Sequence, residues 1–266
     1  MKMKKIYLAA LPLTLCMNQA VATEGEEVQD MSNPLAVYTQ GGIGFSNKGV
    51  NLKVGATYTT GVDTEMGMNI LEIKGFAGDI LGWDGSSKRN DTVDSIRYRD
   101  FVVDLTNGRG TQLDIAYSTS SDANGGAAET GTASYSMIQA LPALGPVSFF
   151  PLAGAGLMFG NNLDEKGLTN SNGYSIPGAF GVVGMYTKIT VTDKIWLNFN
   201  PMYMQTLSGS DMFKDYAFAG DDSILTHEFT ASYQIQPRFN VRYFANWNEH
   251  VDFADGDHRV EFNYQF

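Results

Sequence analysis

The last nine residues, 258–266, alternate apolar with polar side chains at a strict period of two. This period is that of a β-strand with one apolar face. The apolar face consists of Val260, Phe262, Tyr264 and Phe266. The neighbouring sequence offers no segment that would bury this face. We therefore expect it to be buried elsewhere, and membrane lipid is one candidate.

Eleven further stretches have strand-like patterns, which makes twelve in total. They are 34–45, 48–60, 66–76, 95–105, 111–119, 128–140, 147–160, 176–191, 195–207, 223–235, 238–249 and 256–266. The pattern predicts an all-β chain that forms a single transmembrane antiparallel up-and-down β-barrel of 12 strands. Ten or fourteen strands remain open because 66–76 and 128–140 are weakly patterned. A soluble β-sandwich is the main rival fold.

The predicted connections alternate in length. The short ones are 236–238, 192–194, 141–146, 106–110 and 61–64, and the intervening ones, 249–255, 208–222, 160–175, 120–127 and 77–94, are mostly longer. Bacterial barrels place short turns in the periplasm and longer loops outside, so this asymmetry favours a barrel. Pro151 and Pro201 lie within predicted strands, where each removes a ladder donor, and we expect bulges or strand margins there.

The N-terminal region has the pattern of an export signal. Three lysines precede an apolar run over 6–15, and Ala20-Val21-Ala22 supplies small residues for cleavage after Ala22. The predicted organisation is therefore a signal peptide over 1–22, an acidic, solvated extension over 23–33 and the barrel over 34–266. The only cysteine, Cys16, lies within the signal peptide, so the mature chain carries none.

The charge balance limits the partners. The chain has 18 basic and 29 acidic residues and a formal charge of −11. Removing the signal peptide takes away three of those lysines and no acid, which changes the formal charge to −14. We therefore expect no nucleic-acid partner, because nucleic-acid binding needs basic surfaces.

The terminal strand resembles the C-terminal assembly signal of Gram-negative outer-membrane β-barrels, which ends in a final Phe as this chain does at Phe266. The resemblance covers the export signal, the strand and loop pattern and the terminal strand. It points to a porin-like superfamily and to no specific family. It implies a location in the bacterial outer membrane and contact with membrane lipid, lipopolysaccharide and the barrel-assembly machinery. The oligomeric state is left open.

Side-chain parity predicts what each face carries. Lipid-facing aromatic residues expected at the membrane interfaces are Tyr203, Tyr233, Phe239 and Trp247. Lumen-facing candidates are Lys53, Glu72, Lys74, Asp100, Asp104, Asp114, Lys188, Glu228, Arg242, Arg259 and Glu261. Their signs are mixed, so we expect them to pair across the lumen, with Arg242 beside Glu228 and Glu261.

These features favour a small, weakly selective channel for small hydrophilic solutes. A non-conducting structural or surface-interaction barrel is the first alternative.

A rim-located hydrolase is the second alternative. The pairs Asp221-Asp222 and Asp257-His258 look loosely like those of the omptin-type barrel proteases, although that family spaces its Asp and His one residue apart. We expect no enzyme and assign no catalytic residues. We also expect no cofactor and no metal site, because three scattered histidines without cysteine do not provide clustered zinc ligands.

Overall fold

A computed structural model describes residues 28–46, 49–77, 93–121, 127–161, 163 and 173–266. The predicted signal peptide, 1–22, and the first residues of the predicted extension, 23–27, lie outside the described residues.

Within the described residues, twelve strands form one closed antiparallel sheet in which every strand pairs with its sequence neighbours and the last pairs with the first. They are β1 (Gln40–Ser46), β2 (Gly49–Thr59), β3 (Glu65–Phe76), β4 (Ser95–Asp104), β5 (Arg109–Ser121), β6 (Ala127–Gln139), β7 (Val147–Asn161), β8 (Tyr174–Thr190), β9 (Ile195–Gly209), β10 (Ser223–Gln236), β11 (Phe239–Asn248) and β12 (Asp257–Gln265). The predicted 12-stranded barrel is confirmed. The rival sandwich is wrong, because the sheet closes on itself.

The barrel closes between its two terminal strands. Gln40 lies opposite Gln265, and Ser46 lies opposite Arg259, so all of β1 is paired. The predicted strand bounds agree with the observed ones to within two residues, except for the first strand, which is predicted to begin at residue 34 and begins at Gln40. Residues 34–39 instead belong to a segment that lies inside the barrel.

Connections of different length separate the two ends of the barrel. The short-turn end carries the connections 60–64, 105–108, 140–146, 191–194 and 237–238, and the long-loop end carries 77–94, 122–126, 162–173, 210–222, 249–256 and the tight hairpin 47–48. The predicted alternation is confirmed. Phe266 and the start of β1 lie at the short-turn end.

Successive side chains of the strands alternate between the outside and the lumen. On β12, Val260 and Tyr264 are 39% and 44% exposed, whereas Glu261 and Asn263 between them are 4% and 1% exposed. The exposed members are apolar or aromatic and the buried members are polar. This order is the reverse of a soluble protein and fits a wall with lipid outside and a polar interior.

Both prolines within strands coincide with gaps in pairing. Pro151 lies one residue beyond the last β6–β7 pair, Ile138 with Leu152. Pro201 lies in a break of the β8–β9 ladder, between the pairs Gly184 with Met202 and Ile189 with Leu197. The expected strand margin and irregularity are confirmed.

Side chains replace the missing β8–β9 ladder bonds. The backbone N–H of Thr187 donates to the side chain of Asn200 (3.1 Å), and the side chain of Asn198 donates to the carbonyl of Thr187 (2.8 Å). These bonds satisfy backbone groups that the proline leaves without a strand partner.

The longest described connection between strands at the long-loop end folds into the barrel mouth. It contains α1 (Asp211–Tyr216), capped by Ser210, whose hydroxyl accepts from the N–H of Phe213 (3.0 Å). Phe213 and Phe218 pack onto the inward residues Met158, Phe180 and Ile224. No helix in the described ranges is long and apolar enough to cross a membrane.

Substitution of Gly154 tests the close contact of β6 with β7. A Cβ at Gly154 would lie 2.2 Å from the carbonyl oxygen of Tyr135. We expect Gly154→Val to destabilise the barrel by about 1–3 kcal/mol, as overpacking does. Ala153→Val is the matched control, because Ala153 faces outward and is exposed. Urea titration of the folded species on unheated gels measures both, and equal midpoints for the two variants would contradict the packing described here.

Candidate functional site

The lumen is the candidate functional site, and most of the predicted charges lie in it. The structure places on the lumen face Lys53, Glu72, Lys74, Asp114, Lys188, Glu228, Arg242, Arg259 and Glu261. They occupy β2, β3 and β5 on one side of β1 and β8, β10, β11 and β12 on the other. The charged residues therefore line the wall on both sides of the β1–β12 closure.

Asp100 is a correction, because it faces outward. The β3–β4 register places Arg97 opposite Glu72, which lies in the lumen, and Asp100 is three residues further along, on the opposite face. Its carboxylate accepts from the hydroxyl of Tyr58 (2.9 Å and 3.1 Å to the two oxygens). This tyrosine partner satisfies a carboxylate on the outward face, where Asn69 lies directly opposite.

Asp104 is a second correction. It ends β4 at the short-turn end, where it accepts from the N–H and the hydroxyl of Thr106 (2.9 Å and 2.6 Å) and from the side chain of Asn107 (2.7 Å). This pattern is that of an Asp that closes a tight turn. Asp104 therefore shapes a connection and does not line the lumen.

Sequence reasoning missed Arg97 and Arg99, which take the lumen positions that had been given to Asp100 and Asp104. Arg97 donates from Nε to Asp114 (2.8 Å), and Arg99 donates to Glu72 (3.0 Å). Both faces of β4 carry polar residues, so polar parity alone could not assign the strand. Pairing with Glu72 on β3 was the signal that could have found them.

A buried ion pair crosses β1. Nζ of Lys53 lies 2.6 Å from Oε1 of Glu261, although the two residues belong to the strands on either side of β1. Glycines of β1 make this crossing possible, because a Cβ at Gly42 would lie 3.2 Å from the Lys53 side chain and one at Gly44 would lie 3.3 Å from that of Arg259. The glycine-rich first strand therefore shapes the charged wall.

Arg242 lies opposite Glu261 in the β11–β12 register, as expected, but no ion pair joins it to Glu261 or Glu228 among the described residues. Arg242 donates to the backbone carbonyl of Met31, and its guanidinium lies 5.6 Å from the centre of the Trp196 ring. Glu228 instead accepts from the side chain of Asn200 (2.9 Å). The partner of Arg242 belongs to the chain before β1, which sequence reasoning had placed in solvent.

Residues 28–39, the N-terminal segment, lie in the lumen at the short-turn end. Lys188 of β8 donates to Asp30 (2.9 Å). The sulfur of Met31 accepts from the side chains of Gln234 on β10 and Asn240 on β11 (3.5 Å each). Since these strands surround one side of the lumen, the segment is held by the inner wall.

Apolar contacts hold the other side of the segment. Val37 packs with Met68, Ile70 and Val103 of β3 and β4. Leu35 contacts that cluster and a second one, formed by the inward residues Ile138, Phe150 and Leu152 of β6 and β7. Inward apolar residues would face water in an open pore, so the segment covers surface that is unfavourable to expose.

The predicted solvated extension covers 23–33, and its described residues, 28–33, correct that prediction. Met31 is only 4% exposed, while Val28, Gln29 and Asp30 before it are exposed. Burial opposes ionisation of Asp30, but hydrogen bonds from Ser32 and Lys188 outweigh it and lower the pKa of this carboxyl. Asp30 is thus anionic at neutral pH and pairs with Lys188.

Three adjoining cavities are lined by described residues of the lumen. A cavity of ≈ 170 Å³ is bounded below by Met31, Ser32 and Pro34 of the N-terminal segment. Cavities of ≈ 610 Å³ and ≈ 350 Å³ lie toward the long-loop end. Arg97 and Tyr186 line all three, so the cavities adjoin one another at these side chains.

The candidate catalytic pair at the rim does not assemble. Asp257 lines the ≈ 610 Å³ cavity, whereas His258 follows it on β12 and points to the opposite face. His258 Nδ1 lies 2.7 Å from the hydroxyl of Tyr243, and Nε2 lies 2.8 Å from the carbonyl of Phe253. Oδ2 of Asp221 lies instead 3.2 Å from Nε2 of His250.

The predicted interfacial aromatic residues face outward. Tyr203 and Tyr233 are 39% and 45% exposed. Phe239 stacks on Phe262 of the terminal strand (6.2 Å between ring centres), and Trp247 contacts the ring of His227 (5.1 Å). Tyr264 and Phe266 pack edge to face at the short-turn end. The outer face thus carries aromatic residues at both ends of the barrel.

No protein-family model and no curated protein matches the chain. Among solved structures, the NanC porin is 9% identical with a TM-score of 0.48 and covers 87% of this chain and 99% of its own. The translocator domain of the autotransporter NalP from Neisseria meningitidis is 15% identical with a TM-score of 0.45, and covers 86% of each chain. The KdgM porin is 8% identical with a TM-score of 0.42, and covers 86% of this chain and 99% of its own.

By name, these structures are two porins and an autotransporter translocator domain. The closed 12-stranded barrel rests on the strand pairing of this chain alone. The predicted resemblance to outer-membrane barrels stays a prediction, and no specific family is assigned. Similarity this low concerns the fold alone and says nothing of what the lumen of this chain binds or passes.

The buried ion pair across β1 gives a test of the charged wall. We expect Glu261→Gln to destabilise the barrel by about 3–5 kcal/mol, because it leaves the Lys53 ammonium buried without its carboxylate. Adding Lys53→Met should recover part of that loss, since it removes the unpaired charge. Urea unfolding in lipid vesicles, followed by tryptophan fluorescence, measures both variants.

The control for this test is Asp211→Asn, which breaks an exposed ion pair of α1 with Lys214 and should not change the midpoint measurably. Purely additive effects of Glu261→Gln and Lys53→Met would show that the two side chains do not interact.

Proposed function

We propose that the chain is a bacterial outer-membrane barrel that forms a narrow channel for small hydrophilic solutes, and that its N-terminal segment closes the periplasmic half. The observation that carries the proposal is a set of adjoining polar cavities above a floor formed by residues 28–39. The connected cavities supply a path, and the segment supplies its closure.

The outer surface supports a membrane location. Aliphatic residues that would be buried in a soluble protein are exposed on outward strand positions, among them Val54 at 57%, Val183 at 52% and Leu71 at 39%. Aromatic side chains lie toward both ends of the barrel, as they do at membrane interfaces. Because short turns face the periplasm in bacterial barrels, the N-terminal segment enters the lumen from the periplasmic side.

The segment is held in a way that permits release. Before Thr39, whose carbonyl accepts from the N–H of Phe266 (3.0 Å), the described segment forms no ladder with the wall. Its backbone–backbone bonds there are local turns, from the N–H of Asn33 to Asp30 and of Ala36 to Asn33 (3.0 Å each). Side-chain contacts anchor the segment, and one of the anchoring side chains, that of Asp30, is 60% exposed. Withdrawal would therefore leave the barrel ladder intact, as for other elements of low local stability.

A non-conducting structural barrel is the second candidate, and the ion pairs inside the lumen favour it. Lys53 with Glu261, Arg99 with Glu72 and Arg97 with Asp114 fill part of the cross-section. Removal of the N-terminal segment distinguishes the two candidates. A lumen that is closed by the ion pairs of its wall would stay closed without that segment.

Deletion of the segment tests the channel. We expect removal of residues 28–38 to raise single-channel conductance in planar bilayers several-fold, because it removes the floor of the cavities. Thr39 is kept because its carbonyl accepts from the N–H of Phe266 (3.0 Å). Val28→Asp is the control, since Val28 is 41% exposed and should leave the conductance unchanged. A folded deletion variant that conducts no more than the full chain would favour the structural barrel.

A reversible cross-link tests whether the segment itself is the closure. We expect Leu35→Asp to raise the conductance, because it places a charge between two apolar clusters. Adding Met31→Cys and Asn240→Cys, whose side chains are in contact, should close the channel again when oxidised. Reductant should then reopen it.

The variants with one cysteine are the controls for this cross-link, since residues 23–266 contain no other cysteine. Conductance that does not respond to oxidation, in a protein shown by mass to carry the disulfide, would rule out closure by the segment.

A further inference from the structure

Positive charge exceeds negative charge around the smallest cavity, although the whole chain is acidic. Six basic side chains line it: Lys53, Lys74, Arg97, Arg99, Arg242 and Arg259. Three carboxylates do so, namely Glu72, Glu228 and Glu261. Even after Arg97 is matched by Asp114, which lies outside this cavity, the wall keeps an excess of two positive charges.

Two of the three carboxylates of this cavity already contact basic side chains, and Glu228 accepts from the side chain of Asn200 (2.9 Å). Glu261 contacts both Lys53 (2.6 Å) and Arg259 (3.5 Å). Glu72 contacts Arg99 (3.0 Å) and Lys74 (3.7 Å), so each of these two acids serves two cations. The excess charge therefore has no further carboxylate among the described residues that line the cavity.

Three guanidinium groups also have a donor that makes no hydrogen bond. Nε of Arg99, of Arg242 and of Arg259 is buried without a hydrogen-bond partner among the described residues. The terminal nitrogens of Arg99 and Arg242 donate to Glu72 and to the Met31 carbonyl, and Nε of Arg259 lies 3.5 Å from Oε2 of Glu261. Arg259 is only 5% exposed, and its guanidinium otherwise lies over the ring of Phe244 (4.3 Å). Buried donors of this kind nearly always have an acceptor, which in a polar cavity is water or a ligand.

The charge distinguishes between these acceptors. Water would satisfy the N–H donors but would leave two positive charges uncompensated in a buried site, and buried charges are usually paired. An anion satisfies both requirements. Guanidinium groups in particular match the planar or tetrahedral oxygens of carboxylates and phosphates, to which they donate two bonds at once.

We propose that the ≈ 170 Å³ cavity is a binding site for a small oxyanion, a carboxylate or a phosphate, held by Arg259, Arg242 and Arg99. The cavity has room for several water molecules and thus for such a group. Met31 of the N-terminal segment accepts from Arg242 and lines the same cavity, so the anion would lie between the segment and the wall. This site goes beyond the proposed channel, because it does not require conduction.

Calorimetry on the purified full chain in detergent tests the site. Sodium phosphate, sodium succinate and sodium chloride are titrated separately at matched ionic strength. We expect saturable binding of phosphate or succinate, with chloride giving only heats of dilution. Phosphate alone, or succinate alone, would identify the oxyanion class that the site prefers. No saturable binding of either oxyanion at millimolar concentration would overturn the proposal, whatever the conductance of the same preparation.

Arginine variants locate the site. We expect Arg259→Gln to weaken binding at least tenfold, and Arg99→Gln to weaken it as well. Arg109→Gln, which changes an exposed arginine at the short-turn end, is the matched control and should bind as the wild type does. Gel mobility without heating shows whether each variant is folded. If Arg259→Gln fails to fold, Arg99→Gln carries the comparison, and equal affinity of Arg99→Gln and Arg109→Gln would overturn the assignment.

Discussion

The structure depends on closure of the hydrogen-bond ladder between β1 and β12. An open sheet of this length would leave two edges with unpaired backbone groups, which cannot be tolerated in lipid. Seven residues of β1, from Gln40 to Ser46, supply that closure and pair on both sides. Because β1 is narrow on its inner face, with Gly42 and Gly44, Lys53 and Glu261 can meet across it. The first strand thus both closes the backbone ladder and lets charged side chains of the two neighbouring strands meet.

The interior of the barrel is divided along its axis. Apolar residues such as Met68 and Ile138 face inward at the short-turn end, a charged belt follows, and Phe180 with Met158 forms an apolar layer toward the long loops. Both apolar layers are covered by chain outside the strands, by Leu35 below and by Phe213 above. The interior of a water-filled pore is polar, whereas two layers of this lumen are apolar and are covered by parts of its own chain.

Much of the fold could be predicted because alternation and turn length are local signals. The terminal strand, the turn pattern and the effects of Pro151 and Pro201 follow from neighbouring residues alone. The errors arose where the answer depends on another strand. Both faces of β4 carry polar side chains, and only pairing with Glu72 places Arg97 and Arg99 inside and Asp100 outside.

The position of the N-terminal segment was harder to predict. Residues 28–33 were expected in an acidic, solvated extension and residues 34–39 in the first strand, because Asp30 and the acids before it are typical of a solvated tail. Met31, Leu35 and Val37 gain apolar partners only after residues from β3, β4, β6 and β7 have been brought together by the closed sheet. The partner of Arg242 is missed for the same reason, since a backbone carbonyl has no side-chain signature in the sequence.

Covalent attachment of the segment to β1 has an energetic consequence. A ligand joined to its receptor by a short flexible stretch experiences an effective concentration in the millimolar range. Thr39 joins the docked residues directly to Gln40, so contacts too weak to hold a free peptide suffice to keep the lumen occupied. The same sequence supplied as a separate peptide would have to reach comparable concentrations to compete. Occupancy is thus set by chain connectivity as much as by the strength of any individual contact.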